Sequence, residues 1–359
     1  MTRIMVYVSN AADGDIRTYR MQPDGTLQPG ARVKAGDAVG PMAVSPDRRF
    51  LYAAVRSKPF SVHVYAIDPG TGALAPLSVA PSAESLTYLS LDKTGRTLFG
   101  ASYHAHVISV YAVGADGRVA APPLQAIPVG RNAHAIRTDE SNSFVYVPAL
   151  GSDQIFQFAF DAKSGRLASN TPAVAQMEPG TGPRHLVIAA DNRFLYLLSE
   201  LLATVTTFAL DGKTGLLTES STASGLPPDA DLVPGAPRAA AGAPGAASPR
   251  NRDRDIWAAD IHLTPNGEFL YISERTGSTL GAFRVDAQSG KLIYLASTPT
   301  ESQPRGFAID PTDRFLVAAG EKSDTISVYS IDQASGALSM LSKYPSGNGA
   351  NWVEITAIA

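Results

Sequence analysis

The chain has 359 residues, of which 44% are hydrophobic and 18% charged, so it can bury a sizeable core and wholesale disorder is excluded. Lys and Arg total 30 against 33 Asp and Glu, and this balance lacks the basic excess of proteins that bind nucleic acid or an anionic membrane. The sequence contains no cysteine, which excludes disulfides, thiolate metal sites and cysteine nucleophiles.

The chain opens on strand-like sequence, RIMVYVSN from Arg3, and not on an apolar stretch of signal-peptide length. No uninterrupted apolar run elsewhere approaches the roughly 20 residues of a membrane helix. We therefore expect a soluble, cytoplasmic protein.

A block of sequence that is first complete at 45–55, SPDRRFLYAAV, recurs along the chain, and RIMVYVSN is a partial first copy. The last residue of each "FLY" element serves as an anchor, and the seven anchors are spaced 45, 47, 47, 50, 75 and 46 residues apart. Such a period indicates one supersecondary unit stacked on the next. The anchors are Tyr7, Tyr52, Phe99, Tyr146, Tyr196, Tyr271 and Val317.

Within each repeat, apolar and polar residues alternate with the period of two that half-buried strands require. PMAVS (41–45) represents strand A of the repeat, RFLYAAV (49–55) strand B and SVHVYAI (61–67) strand C. Strand D follows a turn of the type Asp68…Gly72-Ala-Leu, in which glycine supplies the positive φ of a tight hairpin. Four antiparallel strands in roughly 40–50 residues form one blade of a β-propeller. We predict an all-β, seven-bladed β-propeller that occupies 1–359 as a single domain.

The two ends of the chain complement each other. The N-terminal copy holds strands B, C and D but lacks strand A, whereas the C-terminal NWVEITAIA offers one strand after the last complete repeat. We predict that this strand joins the N-terminal blade and closes the ring, which removes the exposed edges of an open array.

The longest spacing contains a Pro/Ala/Gly-rich insertion at 224–252, which we interpret as a loop between strand D of the fifth blade and strand A of the sixth. A flap over the central channel and a tolerated surface excursion are both consistent with this sequence. We expect the insertion to be dispensable for folding, because changes in loop length cost little free energy.

The repeat register places polar residues at one rim of the propeller. Strand A begins twelve residues before an anchor and strand B ends four residues after it, so both positions lie at the same end of the innermost strands. Guanidinium groups bind carboxylate or phosphate, and His or Glu can transfer a proton, so the pattern favours a site for an anionic, carbonyl-containing ligand. Solvated rim residues in ordinary salt bridges are the alternative. The residues are Arg56, His134, Arg184, Glu200, Arg275, Arg305 and Glu321, with His185 and Asp260 one position further along strand A.

Other polar and aromatic residues carry weaker signals. His104 and His106 could ligate a metal, but no third ligand is identifiable, and a solvated loop is the simpler interpretation. We expect His262 and His63 to be structural. The two tryptophans, Trp257 and Trp352, stand near starts of strand A and either wall the pocket or pack in the core.

Several stretches resemble the seven-bladed propeller lactonases of the bacterial 6-phosphogluconolactonase type, which are related to fungal 3-carboxy-cis,cis-muconate lactonizing enzyme. The resemblance covers the chain except for the insertion. The stretches are GPRHLVI (182–188), SEL (199–201), WAADIHLTPNGEFLYISERT (257–276), SQPRGFAID (302–310), AAGEKSDTISVYSID (318–332) and the NWVEI ending.

The resemblance implies a set of site residues and the absence of any metal or organic cofactor for lactone chemistry. The segment around His134, RNAHAIR, departs from the usual histidine-bearing motif of the family. The implied catalytic residues are His134, Arg184, Glu200 and Arg275. From the register and the adjoining motifs, we assign substrate binding to His185, Arg305, Arg56, Asp260 and Glu321.

We therefore predict an enzyme that hydrolyses a sugar-acid lactone, with 6-phosphogluconolactone as the substrate implied by the resemblance. Glu200 or His134 would activate water, and Arg275 or Arg184 would stabilise the oxyanion. A hydrolase for another carboxylated sugar lactone and a carboxymuconate-type cycloisomerase are the alternatives. A non-enzymatic interaction propeller is a further alternative, although the Gly-His and Trp-Asp signatures of WD propellers are absent.

The expected partner is therefore a small anionic lactone, with neither nucleic acid nor membrane. We expect the protein to be a monomer or a weak homo-oligomer.

Overall fold

The computed structural model of the chain describes residues 2–238 and 251–358, so residues 239–250 of the insertion lie outside it. The described residues form 28 β-strands and one short 3-10 turn at Leu150–Ser152, and none of them forms a helix able to cross a membrane. In chain order the strands are β1 Arg3–Asn10, β2 Asp15–Met21, β3 Leu27–Lys34, β4 Val39–Val44, β5 Phe50–Val55, β6 Ser61–Ile67, β7 Leu74–Pro81, β8 Tyr88–Leu91, β9 Thr97–Ser102, β10 Val107–Ala112, β11 Gln125–Pro128, β12 Arg137–Thr138, β13 Phe144–Ala149, β14 Gln154–Asp161, β15 Arg166–Gln176, β16 Pro183–Ile188, β17 Phe194–Ser199, β18 Thr204–Leu210, β19 Leu217–Ser224, β20 Ala258–Leu263, β21 Phe269–Glu274, β22 Thr279–Val285, β23 Leu292–Pro299, β24 Pro304–Ile309, β25 Phe315–Gly320, β26 Thr325–Ile331, β27 Leu338–Pro345 and β28 Ala350–Ile358.

These strands form seven four-stranded antiparallel sheets, which confirms the predicted propeller. Six sheets take four consecutive strands each, from β4–β7 through β24–β27. The remaining sheet has the order β28-β1-β2-β3, with Arg3 opposite Ile358 and Val8 opposite Val353. The C-terminal strand therefore closes the ring as predicted, and the first blade joins both ends of the chain.

The anchor tyrosines explain why the repeat is so regular. In four blades the anchor hydroxyl donates a hydrogen bond to the turn glycine that precedes strand D of the next blade. A buried tyrosine hydroxyl needs such a partner, and the pairing ties each blade to its neighbour. The pairs are Tyr7 with the Gly72 carbonyl (2.9 Å), Tyr52 with Gly117 (3.0 Å), Tyr146 with Gly215 (2.9 Å) and Tyr271 with Gly336 (2.8 Å).

The turn glycines also pack closely against the preceding blade, and Gly117 shows what this demands. Its φ is +81°, and a Cβ at this position would lie 2.5 Å from the ring of Phe50. Both the left-handed backbone and the close approach therefore require glycine.

We predict that Gly117→Ala lowers the free energy of unfolding by about 2–4 kcal/mol, as the sum of left-handed strain and overpacking. Urea denaturation measures the change. Gly267→Ala is the matched control, because Gly267 has φ +76° but no heavy atom within 4 Å of the place where an alanine Cβ would lie, so it isolates the backbone contribution. A loss at Gly117 no larger than the loss at Gly267 would refute the packing argument.

The described part of the insertion is tied to the blades on either side. The Gly235 amide donates to the Leu201 carbonyl (2.8 Å), and Leu226 and Leu232 pack against the core between the fifth and sixth blades. Replacing all of 224–252 would remove these contacts, and the dispensability of the insertion for folding stays a prediction. The Pro/Ala/Gly-rich composition of the insertion gave no indication that Leu226 and Leu232 pack against the core.

Candidate active site

The start of strand A is irregular in five blades, and this irregularity directs side chains into the central channel. In the fifth blade Pro183 pairs with Ser199 and His185 with Leu198, so Arg184 is an extra, unpaired residue. Arg305 occupies the same position in the seventh blade, between Pro304 and Gly306. Such β-bulges re-aim side chains, and they are common beside active sites.

The residues at this end of the channel surround a cavity of about 130 Å³, which we call the mouth. Six of the nine predicted site residues line it, and they come from five different blades. Two predicted residues, His185 and Asp260, line the channel further in, and Glu321 lies beside the mouth against Arg305. The mouth is lined by Arg56, Thr87, Tyr103, His104, His134, Arg184, Glu200, Arg238, Trp257, Arg275 and Arg305.

Glu200 holds two arginines in a buried ion cluster. Its Oε2 accepts from Arg184 Nε at 2.7 Å and from Arg275 Nη2 at 3.2 Å. All three side chains are almost fully buried, with exposures of 4%, 1% and 2% for Glu200, Arg184 and Arg275. Buried charges survive only with partners of this quality, so the cluster fixes both guanidinium groups in place.

Backbone carbonyls complete the arginine cluster, and one nitrogen of each group has no hydrogen-bond partner among the described residues. Arg184 Nη1 donates to the Ala259 carbonyl, and Arg275 donates to the carbonyls of Trp257 (3.0 Å) and Ala258 (3.2 Å). Arg184 Nη2 and Arg275 Nη1 make no hydrogen bond with the described residues, although Arg275 Nη1 lies 4.0 Å from a carboxylate oxygen of Glu321. Each is therefore a donor whose position is fixed and whose hydrogen-bonding capacity is not used by the residues that the structure describes.

His185 and Asp260 support Arg184 from the inner side. Because a guanidinium can only donate, His185 Nε2 accepts from Arg184 Nη1 (3.0 Å), and His185 Nδ1–H donates to Asp260 Oδ1 (2.9 Å). Burial and the charge of Arg184 lower the pKa of His185 to about 3, so the ring stays neutral. The pair therefore holds Arg184 from the inner side of the channel.

Asp260 is the end of this chain of hydrogen bonds. Burial by itself would raise its pKa, but the charge of His262 and the hydrogen bonds from His185 and His262 outweigh burial and lower the pKa. His262 Nε2 lies 3.1 Å from Asp260 Oδ2, and its ring packs at 4.8 Å from that of Phe307. Asp260 is therefore an ionised, fully engaged carboxylate.

His134 and Arg56 differ from the arginine cluster because each has a buried nitrogen with no partner. His134 Nδ1 and Arg56 Nε are both buried and find no hydrogen-bond partner among the described residues. Burial and the charge of Arg184 lower the pKa of His134 well below its usual value, whereas burial and Arg305 lower that of Arg56 only to about 10. At neutral pH the mouth therefore presents a neutral imidazole beside cationic guanidinium groups, an arrangement typical of functional sites.

Arg305 and Glu321 form a partly exposed side of the site. Arg305 Nη1 lies 3.0 Å from Glu321 Oε1, and the two side chains are 19% and 23% exposed. Burial alone would raise the pKa of Glu321, but Arg305 and Arg275 lower it. Arg305 is thus cationic, paired and accessible.

Arg238 is the site residue that the repeat register could not predict, because the insertion has no equivalent in other blades. Its guanidinium carbon lies 3.6 Å from the ring centroid of Trp257, and Arg275 lies at the same distance from that ring. The sequence held one signal, since Arg238 is the only charged residue between Asp231 and Arg250. Trp257 consequently walls the mouth, one of the two roles considered for it.

The weaker candidates take structural positions. His106 Nδ1 accepts the backbone N–H of Asn132 (2.9 Å), and the His104 ring packs 5.0 Å from that of Tyr103. Within residues 2–238 and 251–358, no group of three His, Asp or Glu side chains is arranged to hold a metal ion. Burial lowers the pKa of His63, in keeping with a structural role.

The opposite end of the channel holds a larger cavity of about 480 Å³. Its charged side chains include Arg137 and His262, but also the carboxylates of Asp260 and Glu354. Burial raises the pKa of Glu354 to about 7, and Trp352 Nε1 donates to its Oε1 at 2.8 Å. Because three carboxylates, with Asp92 included, accompany its basic residues Lys93 and Arg137, this cavity is less suited than the mouth to an anionic ligand.

Comparison with known proteins identifies the family of the chain. The family model "Lactonase, 7-bladed beta-propeller" matches residues 5–355. The chain is 38% identical to the 6-phosphogluconolactonase of Serratia proteamaculans, over 98% of this chain and 99% of that protein, and 37% identical to that of Pectobacterium carotovorum, over 99% of each. The structure of the periplasmic gluconolactonase of Pseudomonas aeruginosa matches with a TM-score of 0.85 at 26% identity, covering 100% of this chain and 99% of that one. The chain therefore belongs to the seven-bladed β-propeller lactonase family.

Proposed function

We propose that this protein hydrolyses the ring ester of a sugar-acid lactone that carries an anionic group, with 6-phosphogluconolactone as its substrate. The observation that carries the proposal is the convergence of guanidinium groups from several blades on one neutral histidine, His134, whose Nδ1 has no hydrogen-bond partner among the described residues. The names of the full-length relatives, 6-phosphogluconolactonase, support the choice of substrate. Because a sugar phosphate does not cross a membrane unaided, we further propose that the protein acts in the cytoplasm.

His134 is the general base of the proposed reaction. Its imidazole takes a proton from water as the water oxygen bonds to the lactone carbonyl carbon. The carbonyl oxygen becomes an oxyanion, which Arg184 Nη2 and Arg275 Nη1 are placed to receive. The tetrahedral intermediate collapses by breaking the ring C–O bond, and the imidazolium returns its proton to the departing alkoxide, which yields the hydroxy acid.

Glu200 positions the arginines instead of activating water. Its Oε2 already accepts from both Arg184 and Arg275, so the carboxylate that would act as a base is held by two cations. This favours His134 over Glu200 as the base, two residues between which the sequence could not choose. Asp260 acts indirectly. It orients His185, and His185 in turn accepts a hydrogen bond from Arg184.

The low pKa of His134 suits a base that works only when substrate is bound. Burial and the charges of Arg184 and Arg305 disfavour the imidazolium in the free protein. An anionic substrate offsets those charges and so raises the proton affinity of His134 at the moment of reaction. The free protein keeps its base neutral, and the substrate itself makes that base stronger.

The test is the initial rate of lactone opening above the spontaneous rate, followed with a pH indicator. A panel of phosphorylated, carboxylated and neutral sugar lactones identifies the anionic group that the mouth accepts. We expect the highest kcat/KM for the phosphorylated lactone. No acceleration of any lactone would reject the proposal, and cyclisation of a carboxymuconate without lactone hydrolysis would favour the cycloisomerase alternative.

A further inference from the structure

The insertion delivers a guanidinium group to the mouth, and its placement is fixed by the surrounding blades. The carbonyl of Arg238 accepts from the Tyr103 hydroxyl at 3.0 Å, across the mouth from the sixth blade. Three residues earlier, the Gly235 amide donates to the Leu201 carbonyl. Arg238 therefore belongs to a segment held at both the third and the fifth blade.

The side chain of Arg238 forms half of a stacked arrangement. Its guanidinium carbon and that of Arg275 each lie 3.6 Å from the ring centroid of Trp257. Two groups at that distance from one centroid would overlap if they shared a face, so they occupy opposite faces of the indole. Stacking on an aromatic face orients a planar guanidinium while leaving its edge N–H groups free to donate.

The electrostatic setting of Arg238 favours an anionic ligand. Burial and the charge of Arg252 lower its pKa. Among the residues that the structure describes, no carboxylate lies within ion-pair distance of Arg238, in contrast to Arg305, which is paired with Glu321. A guanidinium that is partly desolvated and unpaired gains most from a ligand that brings a negative charge.

We propose that Arg238 is a specificity-determining residue that binds the anionic group of the lactone at the end distant from the ring carbonyl. This inference rests on the proposed lactonase activity and adds to it a role for the insertion. The stack on Trp257 links the two ends of the substrate, because Arg275 on the other face of the indole serves the developing oxyanion. The shared chemistry is a tetrahedral or planar oxyanion group, either phosphate or carboxylate.

The decisive experiment compares Arg238→Ala with the unmodified protein on two lactones that differ only in the phosphate, 6-phosphogluconolactone and glucono-δ-lactone. We expect kcat/KM for the phosphorylated lactone to fall roughly 10- to 100-fold, chiefly through KM, because hydrogen bonds to charged groups are among the stronger ones. We expect the value for the neutral lactone to change by less than about threefold, since the residue leaves the reacting atoms untouched.

Arg254→Ala is the matched control. It removes the same charge close to the same insertion, but Arg254 pairs with Asp231 and its side chain is 59% exposed, outside the mouth. Both lactones should be hydrolysed at unchanged rates by this variant. A carboxylated sugar lactone, assayed alongside, shows whether Arg238 serves carboxylate as well as phosphate.

An equal loss on both lactones in Arg238→Ala would show a merely structural role and overturn the inference, as would no loss on either. Should that variant fail to fold, Arg238→Gln is used with inorganic phosphate as an inhibitor of glucono-δ-lactone hydrolysis. We expect inhibition at least roughly tenfold weaker than in the unmodified protein, and unchanged inhibition would overturn the inference. Failure of the proposed function can be distinguished from failure of this inference, because the unmodified protein would then open no lactone. Calorimetric binding of inorganic phosphate to the unmodified protein and to Arg238→Gln would still decide the role of Arg238.

Discussion

Glu200→Gln should lose both activity and stability. The glutamine oxygen is uncharged, so Arg184 and Arg275 would stay buried without the carboxylate that neutralises them. Removing one partner of a buried ion cluster costs about 3–5 kcal/mol of folding free energy. Loosening the two oxyanion donors should lower kcat by about 10²–10³-fold, the loss expected when such a donor is removed.

Urea denaturation and the rate of hydrolysis of the preferred lactone measure the two effects. Glu219→Gln is the control, because it makes the same chemical change on an exposed position of β19 in the same blade. It should alter neither quantity. Full activity in Glu200→Gln would show that the arginine pair does not stabilise the oxyanion, and unchanged stability would show that the cluster is not held by its charge.

His134→Gln should lose activity with little loss of stability. A general base contributes about 10²–10⁴-fold to the rate, and the imidazole Nδ1 makes no hydrogen bond with the described residues that the fold would lose. Urea denaturation and the rate of lactone hydrolysis measure both quantities. His63→Gln is the control, because His63 is a half-buried histidine of β6 that does not line the mouth. A variant that keeps more than a tenth of the rate would return the role of base to Glu200.

The pH profile provides a second check on His134. The pKa of His134 in the free protein lies well below the usual imidazole value. The ring therefore remains neutral as the pH falls through the usual imidazole pKa. With glucono-δ-lactone, which has no phosphate to titrate, kcat/KM should stay level between about pH 7 and about 6 after subtraction of the spontaneous rate. A fall centred on the ordinary imidazole pKa near about 6.5 would contradict a buried, neutral His134.

Glu200→Gln and His134→Gln together distinguish the residue that positions the arginines from the residue that acts as the base. The sequence alone offered both residues as candidate bases. The repeat register placed Glu200 and His134 at one rim, because equivalent positions in successive blades lie at the same end of the channel. It could not show that Glu200 Oε2 already serves two arginines, since that depends on side-chain geometry across two blades. Side-chain geometry therefore adds an argument that the sequence lacked, and the assignment of the base to His134 stays a proposal.

The repeat register also could not predict side-chain contacts between different blades. His185 and Asp260 sit one residue beyond the rim positions, and their assignment to substrate binding stays a prediction. The bulge at Arg184 shifts the alternation of side chains along β16. His185 consequently lies against the guanidinium of Arg184 and donates a hydrogen bond to Asp260. Arg238 was missed for the opposite reason, because the insertion follows no repeat and its position is set by contacts with Tyr103 and Trp257.

The most direct test of the whole account is a crystal structure with 6-phosphogluconate, the product of the proposed reaction. We predict that the product binds in the mouth, with its carboxylate within hydrogen-bond distance of Arg184 Nη2 and Arg275 Nη1 and its phosphate toward Arg238 and Arg305. Product bound instead in the larger cavity beside Arg137 would contradict the placement of the active site.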